Sequence, residues 1–345
     1  MTIINAVLKK CPAWIAALML LALLLAGCGA EGASNGEPAD AGTPAAGAGS
    51  SISRTDMDDQ SKTDGGESAA AGDETRYPIT VTDATGTEIT LEKAPERVVM
   101  LFPSDTEIVF AIGAGSLAVG ADEYSDYPPE AAELARVGDV NTNIEAVMAL
   151  NPDLVLASAS MNHAAIDSLR QLGVAVYASD PQTLEETIAH IEQVGVLLNR
   201  REGAAAVAGE MRSALRYVTD KVRNAEPVRV YLEFSPGWTV GSETFLDELV
   251  RLAGGVNISE DRAGWFEVDP EAVIARNPEV IIHPEIEGVD FLGGMLSRPG
   301  WDQIDAVKNN RVIAVANEPL VRVGPRLTDG LKEIAAALHP ELFPG

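Results

Sequence analysis

The sequence predicts an α/β protein of two similar lobes joined by one long helix. Three observations predict it. First, a segment occurs twice: residues 144–157 read IEAVMALNPDLVLA and residues 270–283 read PEAVIARNPEVIIH. Glu145 thereby pairs with Glu271, Asn151 with Asn277 and Pro152 with Pro278, each at an offset of 126 residues. Each copy reads as a short helix, an Asn-Pro stop and an apolar run, because the residue before a proline is disfavoured in helical geometry. The runs LVLA and VIIH have the length and partial β-branching of strands covered on both faces. Second, strand and helix patterns alternate along the chain, as in a parallel sheet with crossover helices. Third, residues 184–224 lack proline and carry apolar residues at helical spacing: Leu184, Ile188, Ile191, Val194 and Leu198, then Met211, Leu215, Val218 and Val222. The expectation is two Rossmann-like lobes with parallel-rich sheets, one connecting helix and a ligand cleft between the lobes.

The N-terminal 76 residues stand outside that fold. Lys9 and Lys10 precede an apolar run from Ala13 to Ala26, short for a bilayer span, so residues 1–27 read as a signal peptide. The run ends Leu25-Ala26-Gly27-Cys28, which resembles a bacterial lipobox; Cys28 would become a lipidated first residue. A transmembrane anchor with a chance cysteine is the alternative. Residues 28–76 are rich in Gly, Ala, Ser and acidic residues and poor in large apolar ones, so they read as a disordered tether. Roughly 45 residues of such coil reach about 35–40 Å. Cys11 and Cys28 are the only cysteines, which leaves no disulfide for the folded part.

The folded part divides into a first lobe (77–183), a linker region (184–226) and a second lobe (227–345). ITVTDATGTEITL alternates about Thr85-Gly86 and reads as a β-hairpin. Residues 98–101 read as a buried strand. Ser104 with Glu107 three residues later forms a capping-box pattern, predicting a helix to about Ile112. A strand over 117–121 follows, then the first repeat copy, a helix over 161–172 and a strand over 174–177. The linker pattern breaks near Asn199-Arg200-Arg201 and Gly203, and its second piece of about 24 residues would be roughly 36 Å long. In the second lobe the strand 228–233, a helix over 243–252, the second repeat copy, the strand 312–315 and a helix over 325–338 follow in turn.

The formal net charge is −27. Such a surface repels nucleic acid and anionic lipid headgroups, and it favours solubility and basic partners. Gly113-Ala114-Gly115 lies between a helix and a strand, the reverse of a dinucleotide fingerprint. His163, His190, His283 and His339 show no metal spacing. There is no Gly-x-Ser-x-Gly elbow and no phosphate loop. No cofactor, metal site or catalytic residue is expected.

The segments APERVVMLFPSDTEIVFAIG, VGADEYSDYPPEA, VGDVNTNIEAVMALNPDLVLA, GWTVGSETFLDELVRLAGGVNI, GWFEVDPEAVIARNPEVII and VGPRLTDGLKEIA, in this order, resemble the helix-linked substrate-binding proteins of bacterial ABC importers. The resemblance covers Tyr77 to Gly345. It implies a monomeric, extracytoplasmic binding protein, anchored by lipid on Cys28, that captures a metal chelate and delivers it to a permease dimer with its ATPase. It also implies that Glu145 and Glu271 dock onto permease arginines. A carboxylate in the first turn of a helix is favoured by the helix dipole and accepts a bidentate pair from arginine.

Candidate ligand residues fall in loops that follow strands. They are Phe102 and Tyr124 from the first lobe, and Trp238, Trp265 and Arg322 from the second. Trp265 occupies the position where the family places a stacking aromatic. Trp301 reads as core, and Arg326 as pairing with a nearby acid such as Asp329. His283 is the most speculative cleft residue. The aromatic loops favour cobalamin; a ferric hydroxamate siderophore or haem is the alternative. A metal-chelatase-like enzyme on a similar scaffold and a passive cell-wall adhesin are the readings of other classes.

Overall fold

The structure, a computed structural model, describes residues 74–344. The signal segment, Cys28 and nearly all of the tether lie outside the described residues.

The chain opens with an antiparallel hairpin of β1 (Ile79–Thr82) and β2 (Glu88–Leu91), with Gly86 at φ +78° in its turn. The first sheet contains β3 (Val98–Met100), β4 (Ala118–Ala121), β5 (Ala135–Arg136), β6 (Leu154–Ser158) and β7 (Val176–Ser179). All are parallel, in the order β5-β4-β3-β6-β7. Helices α1 (Pro103–Ala111), α2 (Ile144–Ala149) and α3 (His163–Gln171) belong to this lobe.

Two helices follow, α4 (Leu184–Leu197) and α5 (Arg201–Val222), broken at Asn199, whose φ is +53°. The 22 residues of α5 make a rod of about 33 Å. Gly203 does not break it. A Cβ there would lie 2.2 Å from the Ile112 carbonyl oxygen, so the bare glycine lets α5 rest on the end of α1. The Leu184 amide at the start of α4 donates to Glu248 Oε2 of the second lobe at 2.7 Å.

The second lobe contains β8 (Val228–Leu232), β9 (Trp238–Val240), β10 (Gly255–Asn257), β11 (Trp265–Glu267), β12 (Val280–Glu285) and β13 (Val312–Ala316). Its sheet is parallel, in the order β10-β8-β12-β13, while β9 and β11 form a separate antiparallel ribbon. Helices α6 (Phe245–Leu252), α7 (Pro270–Arg276), α8 (Phe291–Leu296), α9 (Asp305–Lys308), α10 (Asn317–Val321) and α11 (Leu327–Leu338) complete it.

The two sheets correspond strand for strand: β4-β3-β6-β7 against β10-β8-β12-β13, with β5 added at one edge of the first. The repeated segments are α2–β6 and α7–β12. Each ends its helix at an asparagine in the left-handed region, Asn151 at φ +46° and Asn277 at φ +45°. Asparagine tolerates that conformation better than most residues. The likeness extends to side chains that the repeat does not contain. Arg97 donates to the Leu150 carbonyl at 2.8 Å, and Arg229 donates to the Asn277 carbonyl at 3.3 and 3.1 Å. Asp153 and Glu279 in turn accept the Arg97 and Arg229 amides at 3.0 Å each. Each lobe thus satisfies an open helix-end carbonyl with an arginine at the start of an inner strand, Arg97 just before β3 and Arg229 in β8.

One apolar core runs from Val98 and Met100 in β3, through Ile188 and Ile191 in α4 and Ala208 and Met211 in α5, to Val230, Ile282 and Leu331 in the second lobe. A smaller cluster covers the outer face of each sheet. The linker helices are therefore part of the core.

The capping-box expectation fails. The N-cap of α1 is Phe102, without a side-chain cap; Pro103 occupies the first turn, where a missing N–H is harmless. Ser104 is buried, and Glu107 turns outward from the helix to other partners, described below. The short strands β5, β9, β10 and β11 and the helices α8–α10 lie outside the sequence-level expectations.

Candidate functional site

Every loop singled out in the sequence emerges at the C-terminal edge of a parallel sheet. Phe102 follows β3, Tyr124 follows β4, the β9–β11 ribbon leaves the end of β8, and Arg322 follows β13 through α10. Such edges are where open α/β sheets bind ligands, because loops there diverge around helix N-termini.

The ribbon carries an aromatic wall. Its register sets Trp265 opposite Val240 and Trp238 opposite Glu267. Alternation then places Trp238 and Trp265 on one face and Phe266 on the other. Trp265 is 40% exposed, and Phe234 meets it edge-on with ring centroids 4.6 Å apart. Phe245 adds a tilted contact at 6.4 Å. Arg262 stacks over Phe266 at 3.8 Å. Trp238 and Phe102 are half-buried.

The ribbon's root is held by Glu233, which is 1% exposed. Its carboxylate accepts two bonds from Arg298, at 2.6 and 2.5 Å, one from the Tyr231 hydroxyl at 3.1 Å and one from the Gly237 amide at 3.1 Å. Arg298 also lies 4.4 Å over Trp301, which is fully buried as expected from the sequence.

The two lobes also meet in a cluster that sequence reasoning missed, although it had singled out Arg322. Arg322 Nη1 donates to Glu107 Oε1 at 3.1 Å and to Asp126 Oδ1 at 2.7 Å, and Nη2 donates to the Tyr124 carbonyl at 3.3 Å. Arg326 grips the same Glu107 with two bonds, at 2.9 and 2.6 Å, and its guanidinium lies 4.0 Å over the Tyr127 ring. Arg326 therefore does not pair with Asp329, which accepts from Lys332 instead. The second lobe supplies the arginines and the first supplies every acceptor, so the C-terminal edges of the two sheets face each other here. No sequence spacing links Glu107 to residues more than 200 positions away; an acid one turn into a helix on a strand's C-terminal edge was the only signal.

Behind Tyr124, Asp122 is 2% exposed. Burial raises its carboxyl to about 6, against the pull of bonds from the Tyr124 amide and Ser125 hydroxyl and of the Arg322 and Arg136 charges. Arg136 pins the same loop by donating to the Asp122 and Ser125 carbonyls at 2.8 and 2.9 Å.

Glu145 and Glu271 each occupy the second position of their helix. Asn143 caps α2 by accepting the Ala146 amide at 3.0 Å, and Asp269 caps α7 by accepting the Glu271 amide at 3.0 Å. Both carboxylates are exposed. The helices run against the strands, so each lies at the C-terminal edge of its own sheet, the edge turned toward the other lobe.

Asp105, His190 and Ser179 resemble a catalytic triad but cannot act as one. His190 Nε2 faces both Asp105 Oδ1 at 2.9 Å and Ser179 Oγ at 3.2 Å. A relay needs the base and its orienting acid on opposite ring nitrogens. The group instead ties α1, β7 and α4 together. His283 stacks on Phe291 at 4.9 Å and binds the Pro284 carbonyl, a structural role. Among the described residues no group of three or more His, Cys, Asp or Glu is placed to hold a metal ion.

Comparison with known proteins agrees with this architecture. Residues 98–319 match the family described as periplasmic binding protein. The chain is 33% identical to an uncharacterized ABC transporter substrate-binding lipoprotein, YvrC, of Bacillus subtilis, over 97% of this chain and 99% of that one. Among solved structures it resembles the periplasmic vitamin B12 binding protein BtuF of Vibrio cholerae, with a TM-score of 0.65 and 32% identity over 73% of this chain and 99% of that one. It also resembles the periplasmic heme-binding protein RhuT of Roseiflexus, with a TM-score of 0.63 and 28% identity over 72% and 99%. With two parallel α/β lobes, a helical connector and facing sheet edges, the chain belongs to the periplasmic binding protein family: it is the non-catalytic, extracytoplasmic substrate-binding component of an ABC importer.

Proposed function

We propose that this protein captures a metal chelate, with cobalamin favoured, outside the cytoplasmic membrane and delivers it to its permease. The observation that carries the reading is the exposed Trp265, braced by Phe234 and Phe245, on the ribbon face that it shares with Trp238. A large indole left exposed yet propped by two other rings is suited to receive a flat or rounded apolar face. Tyr124 and Phe102 supply aromatic surface from the first lobe. Arg322 stands at the rim, where its charge already meets Glu107 and Asp126. The cobalamin-binding and heme-binding relatives support chelate capture as a class, and the aromatic wall with few cations supports a corrin bearing amide edges. In this reading lipid on Cys28 holds the protein at the membrane, and Glu145 and Glu271 seat it on the permease.

Calorimetric titration with cyanocobalamin, a ferric hydroxamate and haemin tests the proposal. One of the three should bind, and Trp265→Ala should weaken that ligand by roughly tenfold or more, the loss typical of a central aromatic contact. Unchanged affinity would remove Trp265 from the site. Binding of none of the three would overturn chelate capture.

A further inference from the structure

The loops at the facing sheet edges are poor in free positive charge. Segments 102–107, 122–127, 158–162, 233–238, 262–266, 285–291 and 316–326 contain three cations among the described residues, Arg262, Arg322 and Arg326; Arg136, at the end of β5, adds a fourth that is turned onto the Asp122 and Ser125 carbonyls. Arg262 lies over Phe266, on the face of the ribbon opposite Trp265. The other two converge on Glu107, whose side chain is 2% exposed, while theirs are 11% and 21% exposed. Glu107 receives three guanidinium bonds from them. Asp126 adds a second carboxylate to Arg322, from a position 70% exposed. Two cations thus meet two anions, and the same edges also carry Glu123 and Glu285. A guanidinium already saturated by a carboxylate in a partly dry gap presents little net field to a third charge. A polyanionic chelate would have to displace Glu107, leaving it buried and uncompensated, which is strongly unfavourable.

We infer that Glu107 is a specificity-determining residue: by neutralising Arg322 and Arg326 across the lobes it leaves the cleft without free positive charge, so the site selects chelates of no net charge or small positive charge and rejects polyanionic ones. This rests on the chelate-capture reading and names the charge class of its ligand. The same three side chains act as a bolt between the lobes. Selection by charge is therefore built into a contact between the lobes.

The test is a calorimetric panel graded by charge: neutral cyanocobalamin, neutral ferrichrome, cationic ferrioxamine B, haemin with its propionates and a trianionic ferric tris-catecholate. The wild-type protein should bind from the neutral and cationic group and not the tris-catecholate. Glu107→Gln leaves Arg326 without its carboxylate and Arg322 with Asp126 alone, so affinity for haemin or the tris-catecholate should rise by roughly tenfold or more. The double variant Glu107→Gln with Arg326→Gln removes one charge of each sign and should return the wild-type preference. It also serves as a folding control, because it leaves no buried ion unpaired. Wild-type preference for the tris-catecholate, or an unchanged charge profile in both variants, would overturn the inference while leaving chelate capture standing. Binding of no probe by any variant would instead sink chelate capture itself, and this inference with it.

Discussion

Asp122 is the residue whose chemistry depends most directly on pH. Its carboxyl lies at about 6 in the folded protein against an ordinary 3.8, because burial outweighs its hydrogen bonds and the nearby arginines. The folded state holds this proton more tightly than the unfolded chain does. Asp122 therefore contributes stability that is fully present below about 3.8 and is lost as pH rises through about 6. Asp122→Asn should remove that dependence. Urea midpoints measured from pH 4 to pH 7.5 should show the variant gaining on the wild-type protein by up to ~3 kcal/mol. Parallel curves across that range would contradict the assignment. Legibility was uneven at this scale. Trp301 was recognisable as core from its place in a helix start. Glu107 was misread, because Ser-x-x-Glu is the pattern of a local cap, and local patterns cannot report that two arginines from the far end of the chain compete for the acid. Asp122 gave no signal, since its burial comes from how the loop after β4 folds back under Arg136.

Among the elements, α5 separates two glycines by their surroundings. Gly203 touches the Ile112 carbonyl closely enough that a Cβ would sit 2.2 Å from it, whereas Gly209 has nothing within 4 Å. Gly203→Ala should destabilise the protein by about 1–3 kcal/mol through overpacking against backbone. Gly209→Ala should stabilise it by up to ~1 kcal/mol, because alanine is the better helix former. Equilibrium urea unfolding of both variants decides; equal effects would mean that α5 does not bear on α1. The long helices and buried strands were legible because their apolar residues recur with a fixed period. The ribbon was not: β9 and β11 have three residues each, too few for alternation to register, and their Trp-Thr-Val and Trp-Phe-Glu sequences read equally well as loop. The repeat predicted two matching helix-to-strand corners. It did not predict the arginine clamps, because Arg97 and Arg229 fall outside the offset that relates the two copies.

For the whole molecule the governing fact is that the lobes touch in three separate ways. They share the core along α4 and α5, the Leu184 amide reaches Glu248, and the arginines of the second lobe hold Glu107. The permease proposal is tested at this scale. Glu145→Ala combined with Glu271→Ala should abolish uptake in cells while leaving ligand affinity unchanged by calorimetry; reduced affinity, or intact uptake, would count against docking. The two lobes carry the same strand order and the same acid at the same helix position, and their sheet edges face each other. Each half of the molecule therefore carries the same acid at the start of the same helix-to-strand corner. Under the docking proposal, a receiver built of two equal halves would meet one such acid from each lobe.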